Sequence, residues 1–276
     1  MSEALTYYKP ADSAVAKTLY HEADEARYLA GGMTLLPTMR QRLVAPDAMI
    51  DLALAVGDDI AIEGGMLVIG AMATHHKVAT SQIVQTYLPA LADLAGGIGD
   101  RQVRVRGTIG GSVANNDPAA CYPAGVLALG AVIITDRREI AASDYFVDLF
   151  ETALEDGEII LKLRFVLPLK AAYVKAPNPA SRYALVGVFV AQFEIGETAS
   201  KTGGVTVGVT GAGENGVFRW QKAEARLADN FAPNSLAGLI ASDEGLMCDI
   251  HAASDFRAYL MTTMAQKALK IATERE

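Results

Sequence analysis

Two short stretches bring together residue types suited to holding an anion: Ala30-Gly31-Gly32-Met33-Thr34-Leu35-Leu36, and Thr108-Ile109-Gly110-Gly111-Ser112-Val113-Ala114 with Asn115-Asn116-Asp117-Pro118 behind it. Paired glycines allow positive φ and remove the Cβ atoms that would keep a ligand off the main chain. Successive backbone N–H groups can then converge on an anion. Thr34, Thr108 and Ser112 add hydroxyl donors, and a following helix start adds its partial positive charge. Such a site binds a pyrophosphate without Lys or Arg. The plainer reading of either stretch is a tight turn, but two of them with hydroxyls at matching offsets point to a shared ligand. No Gly-Lys-Ser/Thr occurs, and neither stretch is a Gly-x-Gly-x-x-Gly, which argues against an ATPase and an ordinary nicotinamide dehydrogenase.

The elements that must position these loops follow from spacing. Asp12 is a candidate N-cap for an amphipathic helix over 12–25, with Val15, Ala16, Leu19 and Tyr20 on its apolar face. A strand over 27–30, the first glycine turn, a helix over 33–42 and a strand over 49–52 continue a small α/β lobe. Residues 59–63 and 66–70, joined by Gly64-Gly65, predict a β-hairpin. A helix over 81–94 leads to the glycine-rich segment 96–118, whose turns are expected between strands and facing one site. The uncharged run Pro118 to Thr135 approaches membrane-spanning length but is interrupted by Pro and Gly, so a helix over 119–129 and a strand over 131–135 are expected. Beyond a strand over 158–166 and a boundary at 168–170 come strands at 172–174, 183–193 and 205–210, then helices at 233–240 and 254–273. No internal repeat is present.

The whole chain has 276 residues and a net charge of −8, from 24 basic against 32 acidic residues in scattered positions. A nucleic-acid surface is not expected of such a balance. With only Cys121 and Cys248, a disulfide framework, a zinc cage or an iron–sulfur cluster held by this chain alone is excluded. The N-terminal residues lack a basic start and an apolar run, which predicts a cytoplasmic protein.

The two glycine motifs in this order, with Glu158-Ile159-Ile160, Tyr173-Val174-Lys175 and Asn178-Pro179-Ala180-Ser181-Arg182-Tyr183 following, resemble the FAD-binding medium subunit of molybdenum hydroxylases, the family of carbon monoxide dehydrogenase and xanthine dehydrogenase. The resemblance spans nearly the whole chain. It implies an α+β architecture: a two-lobed FAD-binding fold of the vanillyl-alcohol-oxidase type, with lobes over 1–54 and 55–169, and a smaller C-terminal α+β domain with an antiparallel sheet over 170–276. Carried over by position, Ala30, Gly31, Gly32, Met33, Thr34 and Leu35 would wrap the FAD pyrophosphate, and Thr108, Gly110, Gly111 and Ser112 would close the other side. Ile98 would lie against the flavin or its tail, and Ile160 near the isoalloxazine ring. Lys175 matches a basic position near the flavin, and Tyr183 an aromatic that covers one ring face. Cys121 stands where relatives usually carry an acidic residue that bonds the cofactor. A thiol accepts poorly, so that bond of about 1 kcal/mol is lost or passes to Asp117 or Asn115.

Other residues invite chemistry without requiring it. His75 and His76, read at the end of the hairpin, would point to opposite faces of a strand, which favours a structural or flavin-adjacent role over a metal site. Asp100, Arg101, Arg104 and Arg106 read as a solvated loop, with a docking surface as the alternative. Met33, Met39, Met66 and Met72 read as packing residues. Cys121 has no base among its neighbours and reads as buried and unreactive.

No catalytic side chain and no metal ligand is therefore assigned. The resemblance implies an oxidoreductase subunit that binds FAD and passes electrons from a small partner's two [2Fe-2S] clusters to an external acceptor. A large partner would hold the molybdenum cofactor, in a dimer of heterotrimers. A stand-alone flavin oxidase and a non-catalytic subunit that has lost FAD are the competing expectations.

Overall fold

Asp12 caps the first helix, Ser13–Glu22, by accepting a hydrogen bond from Val15 N at 2.9 Å, and fully buried Ala16 turns its apolar face inward. In the computed structural model, which describes residues 5–194 and 204–275, this helix covers a three-stranded parallel sheet. Its central strand, Ala48–Asp51, is flanked by Thr6–Tyr8 and Ala26–Leu29. The N-terminal stretch read for a targeting signal lies partly outside the described residues.

The second sheet is antiparallel, in the order Ile60–Glu63, Met66–Gly70, Ile160–Phe165, Val132–Thr135, Glu139–Ala141. The expected hairpin is its first pair. Gly64 and Gly65 sit at φ +56° and +79°, the two positive values that a type I′ turn demands.

Two expectations between these sheets are corrected. The helix over 81–94 is two helices, Gln82–Tyr87 and Pro89–Gly96, broken at Leu88 (φ −146°, ψ 61°). Pro89 forces this, because the residue before a proline is pushed out of the helical region and proline itself suits a first turn. The glycine-rich turns over 96–118 do not lie between strands; they lead into the short helices Arg101–Arg104 and Ile109–Asn115.

The third sheet runs antiparallel through Lys170–Pro177, Ala184–Gln192, Val205–Gly213 and Gly216–Arg219. Strand alternation divides it between two cores. Val186, Val188 and Val190 pack with the long helix Ser254–Glu274, whereas Phe189, Ala191 and Phe193 join the main core, as a period of two requires. Helix Tyr122–Ala128 covers the main-core face, and its seven residues are all buried. The helix Gln221–Asp229 was not anticipated, and 233–240 forms only a 3-10 turn, Pro233–Leu236, ending before Gly238 at φ +70°. Among the described residues no helix is long and apolar enough to cross a membrane.

Candidate cofactor site

These three sheets contribute to one cavity of about 670 Å³, within the range of small-molecule and cofactor sites. Every residue singled out as a cofactor contact lines it: the run Ala30 to Leu35, Ile98, Thr108, Gly110, Gly111, Ser112, Asn115, Asp117, Ile160, Lys175 and Tyr183.

The first loop leaves strand Ala26–Leu29 and enters helix Leu35–Arg40. Gly32 takes φ +71°, and a Cβ on Gly31 would fall 2.1 Å from Arg106 O, so both glycines are required. Among the described residues, the N–H groups of Gly31, Gly32, Met33 and Thr34 have no acceptor, and Thr34 makes no side-chain cap bond. A run of unpaired N–H groups on a cavity wall is the arrangement that binds an anion.

The second loop differs from the expectation. Ile109 N donates to Ala73 O and Gly110 N to Ala71 O, each at 2.9 Å, while Ser112 N donates to Thr108 O at 3.0 Å. Gly111 N donates to Thr108 Oγ1 at 3.1 Å. These N–H groups are satisfied inside the chain and are not available to an anion. The glycines serve close packing instead: a Cβ on Gly110 would lie 2.5 Å from Ala71 Cβ, and one on Gly111 3.3 Å from Ala30 Cβ. The Gly111 approach brings the two loops together, and the hydroxyls of Thr108 and Ser112 remain as the second loop's donors.

Past that helix, Asn116 adopts a left-handed conformation (φ +42°). Its Nδ2 donates to Asp148 O and Glu151 O at 2.8 Å each. Asp117 accepts from Ala119 N at 2.8 Å, and burial raises its carboxyl above the ordinary range. From the third sheet, Lys175 Nζ donates to Arg182 O at 2.8 Å and lies 3.4 Å from Cys121 Sγ. Cys121 is buried, as expected, and lines the same cavity. Tyr183 is half exposed at the edge.

The family described as FAD binding domain in molybdopterin dehydrogenase matches residues 3–169. The chain belongs to this family. It is 31% identical to the carbon monoxide dehydrogenase medium chain of Afipia carboxidovorans, over 98% of this chain and 95% of that one. It is 30% identical to the 6-hydroxypseudooxynicotine dehydrogenase complex subunit alpha of Paenarthrobacter nicotinovorans, over 97% and 94%. The crystal structure of the cyanide-inactivated Cu,Mo-CO dehydrogenase matches with a TM-score of 0.87 at 29% identity, covering all of both chains. The fold is the two-lobed FAD-binding fold followed by the antiparallel C-terminal unit.

The cavity suits the FAD that this family carries: unpaired N–H groups for a pyrophosphate on one side and the apolar side chains of Ile98, Ile159 and Ile160 on another. Other residues in and beside the cavity depart from their expected local structure. His75 and His76 open helix His75–Thr80, capped by Thr74, and are not on a strand. His76 is exposed, whereas the His75 ring is buried against Gly107 and Tyr122, with Nδ1 lacking a partner. Burial, with the Arg104 charge adding to it, lowers the His75 imidazole to about 4. Arg104 is not a solvated charge, since its guanidinium donates to Ile98 O at 2.9 Å and Gly99 O at 3.2 Å. Glu158 is expected to open a strand and belongs to the Glu158-Ile159-Ile160 motif. It lies before the strand's start and bonds Arg138, Thr135 and Glu155 N; although burial alone would raise it, these bonds hold its carboxyl down at about 2. Among the described residues no group of side chains could hold a metal ion.

Proposed function

We propose that this chain is the FAD-carrying electron-transfer subunit of a multi-subunit molybdenum hydroxylase, and that its FAD lies in the cavity between the two glycine loops. The observation that carries this reading is the run of unpaired N–H groups from Gly31 to Thr34, packed against the second loop through Ala30 and Gly111. FAD bound there supplies a carrier that takes electrons singly from a partner's [2Fe-2S] clusters and delivers them in pairs to an external acceptor.

The chain's own residues bind, orient and shield. Gly31, Gly32, Met33 and Thr34 hold the pyrophosphate through the main chain, with the Thr34, Thr108 and Ser112 hydroxyls as further donors. Leu35, Ile98 and Ile160 exclude water, Tyr183 covers a ring face, and Lys175 places a positive charge beside the ring. Gly110 seats the second loop on Ala71, Gly111 keeps the two loops close, and Asp117 or Asn115 takes over the polar contact that Cys121 makes poorly.

The functional unit is a complex with a large subunit holding the molybdenum cofactor and a small iron–sulfur subunit, as a cytoplasmic dimer of heterotrimers. The chain divides at 1–54, 55–169 and 170–276. Flavin content of the purified chain and of Gly32→Val and Gly111→Val tests the site. Loss of FAD in both variants with unchanged circular dichroism is expected; normal FAD content in both would refute the loop assignment.

A further inference from the structure

Away from the glycine loops, the two cavity walls meet along one compact seam. Helix Ser13–Glu22 and strand Ala26–Leu29 stand on one side. The turn after Val132–Thr135 and the loop before Ile160–Phe165 stand on the other. Lys17 Nζ lies 3.1 Å from Asp136 Oδ2, and Asp136 Oδ1 accepts from Ile159 N at 2.8 Å. Tyr20 OH donates to Asp156 Oδ1 at 2.8 Å, and Tyr28 OH donates to Gly157 O at 3.1 Å. The two tyrosine rings stack 4.7 Å apart at 25°. Gly157 takes φ +66°, and a Cβ there would lie 2.9 to 3.0 Å from the His21 and Tyr20 rings, so the loop backbone rests directly on the helix.

One seam residue on each side is on or next to the cavity lining. Tyr28 itself lines the cavity just before Ala30, and Gly157 is followed by Glu158, Ile159 and Ile160, which line it opposite. A shift at the seam therefore moves both walls. Burial also keeps the Tyr28 phenol well above its ordinary range, so it remains a donor across the accessible pH range.

We propose that Tyr28 is a positioning residue for the cofactor: with its ring on the wall and its hydroxyl on the Gly157 carbonyl, it acts with Tyr20 and the Lys17–Asp136 pair as a clasp that fixes wall spacing and sets how slowly FAD leaves. This rests on the reading that FAD occupies this cavity. The full chain, Tyr28→Phe, Lys17→Met and Lys17→Arg are loaded with FAD, and release is followed by recovery of free-flavin fluorescence. The Tm of each FAD-free chain is measured alongside.

The dissociation rate is expected to rise about fivefold in Tyr28→Phe and in Lys17→Met, the effect of one hydrogen bond or partly buried ion pair. Lys17→Met also has a weaker salt dependence than the wild-type rate, Lys17→Arg retains it, and the FAD-free Tm values stay together. Unchanged release in both variants, or release that rises only in step with a lower FAD-free Tm, overturns the clasp. A wild-type chain that binds no FAD, or a Gly32→Val chain that keeps it, overturns the cavity reading and the clasp with it. Wild-type binding that Gly32→Val abolishes, with unaltered release from the clasp variants, overturns the clasp alone.

Discussion

His75 is held neutral in a wall of the cofactor cavity, and that has a measurable pH signature. The unfolded chain takes up a proton near the ordinary histidine value of 6.5, whereas the folded chain resists until about 4. Between those values the unfolded state binds more protons, so stability falls as pH drops from 6.5 to 4, by about 3 kcal/mol in total. Denaturant titrations at several pH values check this, and His75→Gln should flatten the curve in that window. Glu158 has the opposite origin and a lower window. Its carboxyl is depressed from 4.5 to about 2, so its contribution is present above pH 4.5 and lost as pH falls toward 2. The hydroxyl donors provide a second test at this scale. Thr34→Val and Ser112→Ala should each weaken FAD binding about fivefold, as loss of one hydrogen bond predicts; fluorescence titration with FAD measures it, and unchanged affinity in both would remove the hydroxyls from the site.

At the scale of elements, the helix carrying the second loop ends at Asn116, which makes three hydrogen bonds to the Phe146–Asp148 and Glu151–Thr152 hairpin: two from Nδ2 and one received by its carbonyl from Phe150 N. Asn116→Ala should cost about 2–3 kcal/mol, because it removes both side-chain bonds and places alanine in a left-handed conformation. Urea unfolding midpoints would show it. Elements governed by local chemistry were readable in the sequence: the Asp12 cap, the Gly64-Gly65 turn, and the alternating valines of Ala184–Gln192. Those governed by distant partners were not. Segment 108–115 carries glycines that suggest a turn, yet it is a helix start because Ala71 and Ala73 carbonyls accept its first N–H groups. His75 joins a helix because Thr74 caps it. Gln221–Asp229 was hidden by its polar composition, although Ala223, Glu224 and Leu227 face inward. The cavity residues were legible as a set, while the division of labour between the loops was not, since it depends on which N–H groups tertiary contacts have already satisfied.

For the whole molecule, the third sheet has one face in each of two cores, so Lys175 and Tyr183 reach the cavity from an element anchored independently of the glycine loops. The proposed FAD site draws on three sheets at once, and FAD should raise the Tm of the full chain through binding to the folded state alone. The most direct test of the account is the cofactor released from the chain purified with its partner subunits and from the chain alone. Close to one FAD per chain in both preparations is the expected result. No flavin in either would mean that the glycine loops serve only as turns, contradicting the central claim.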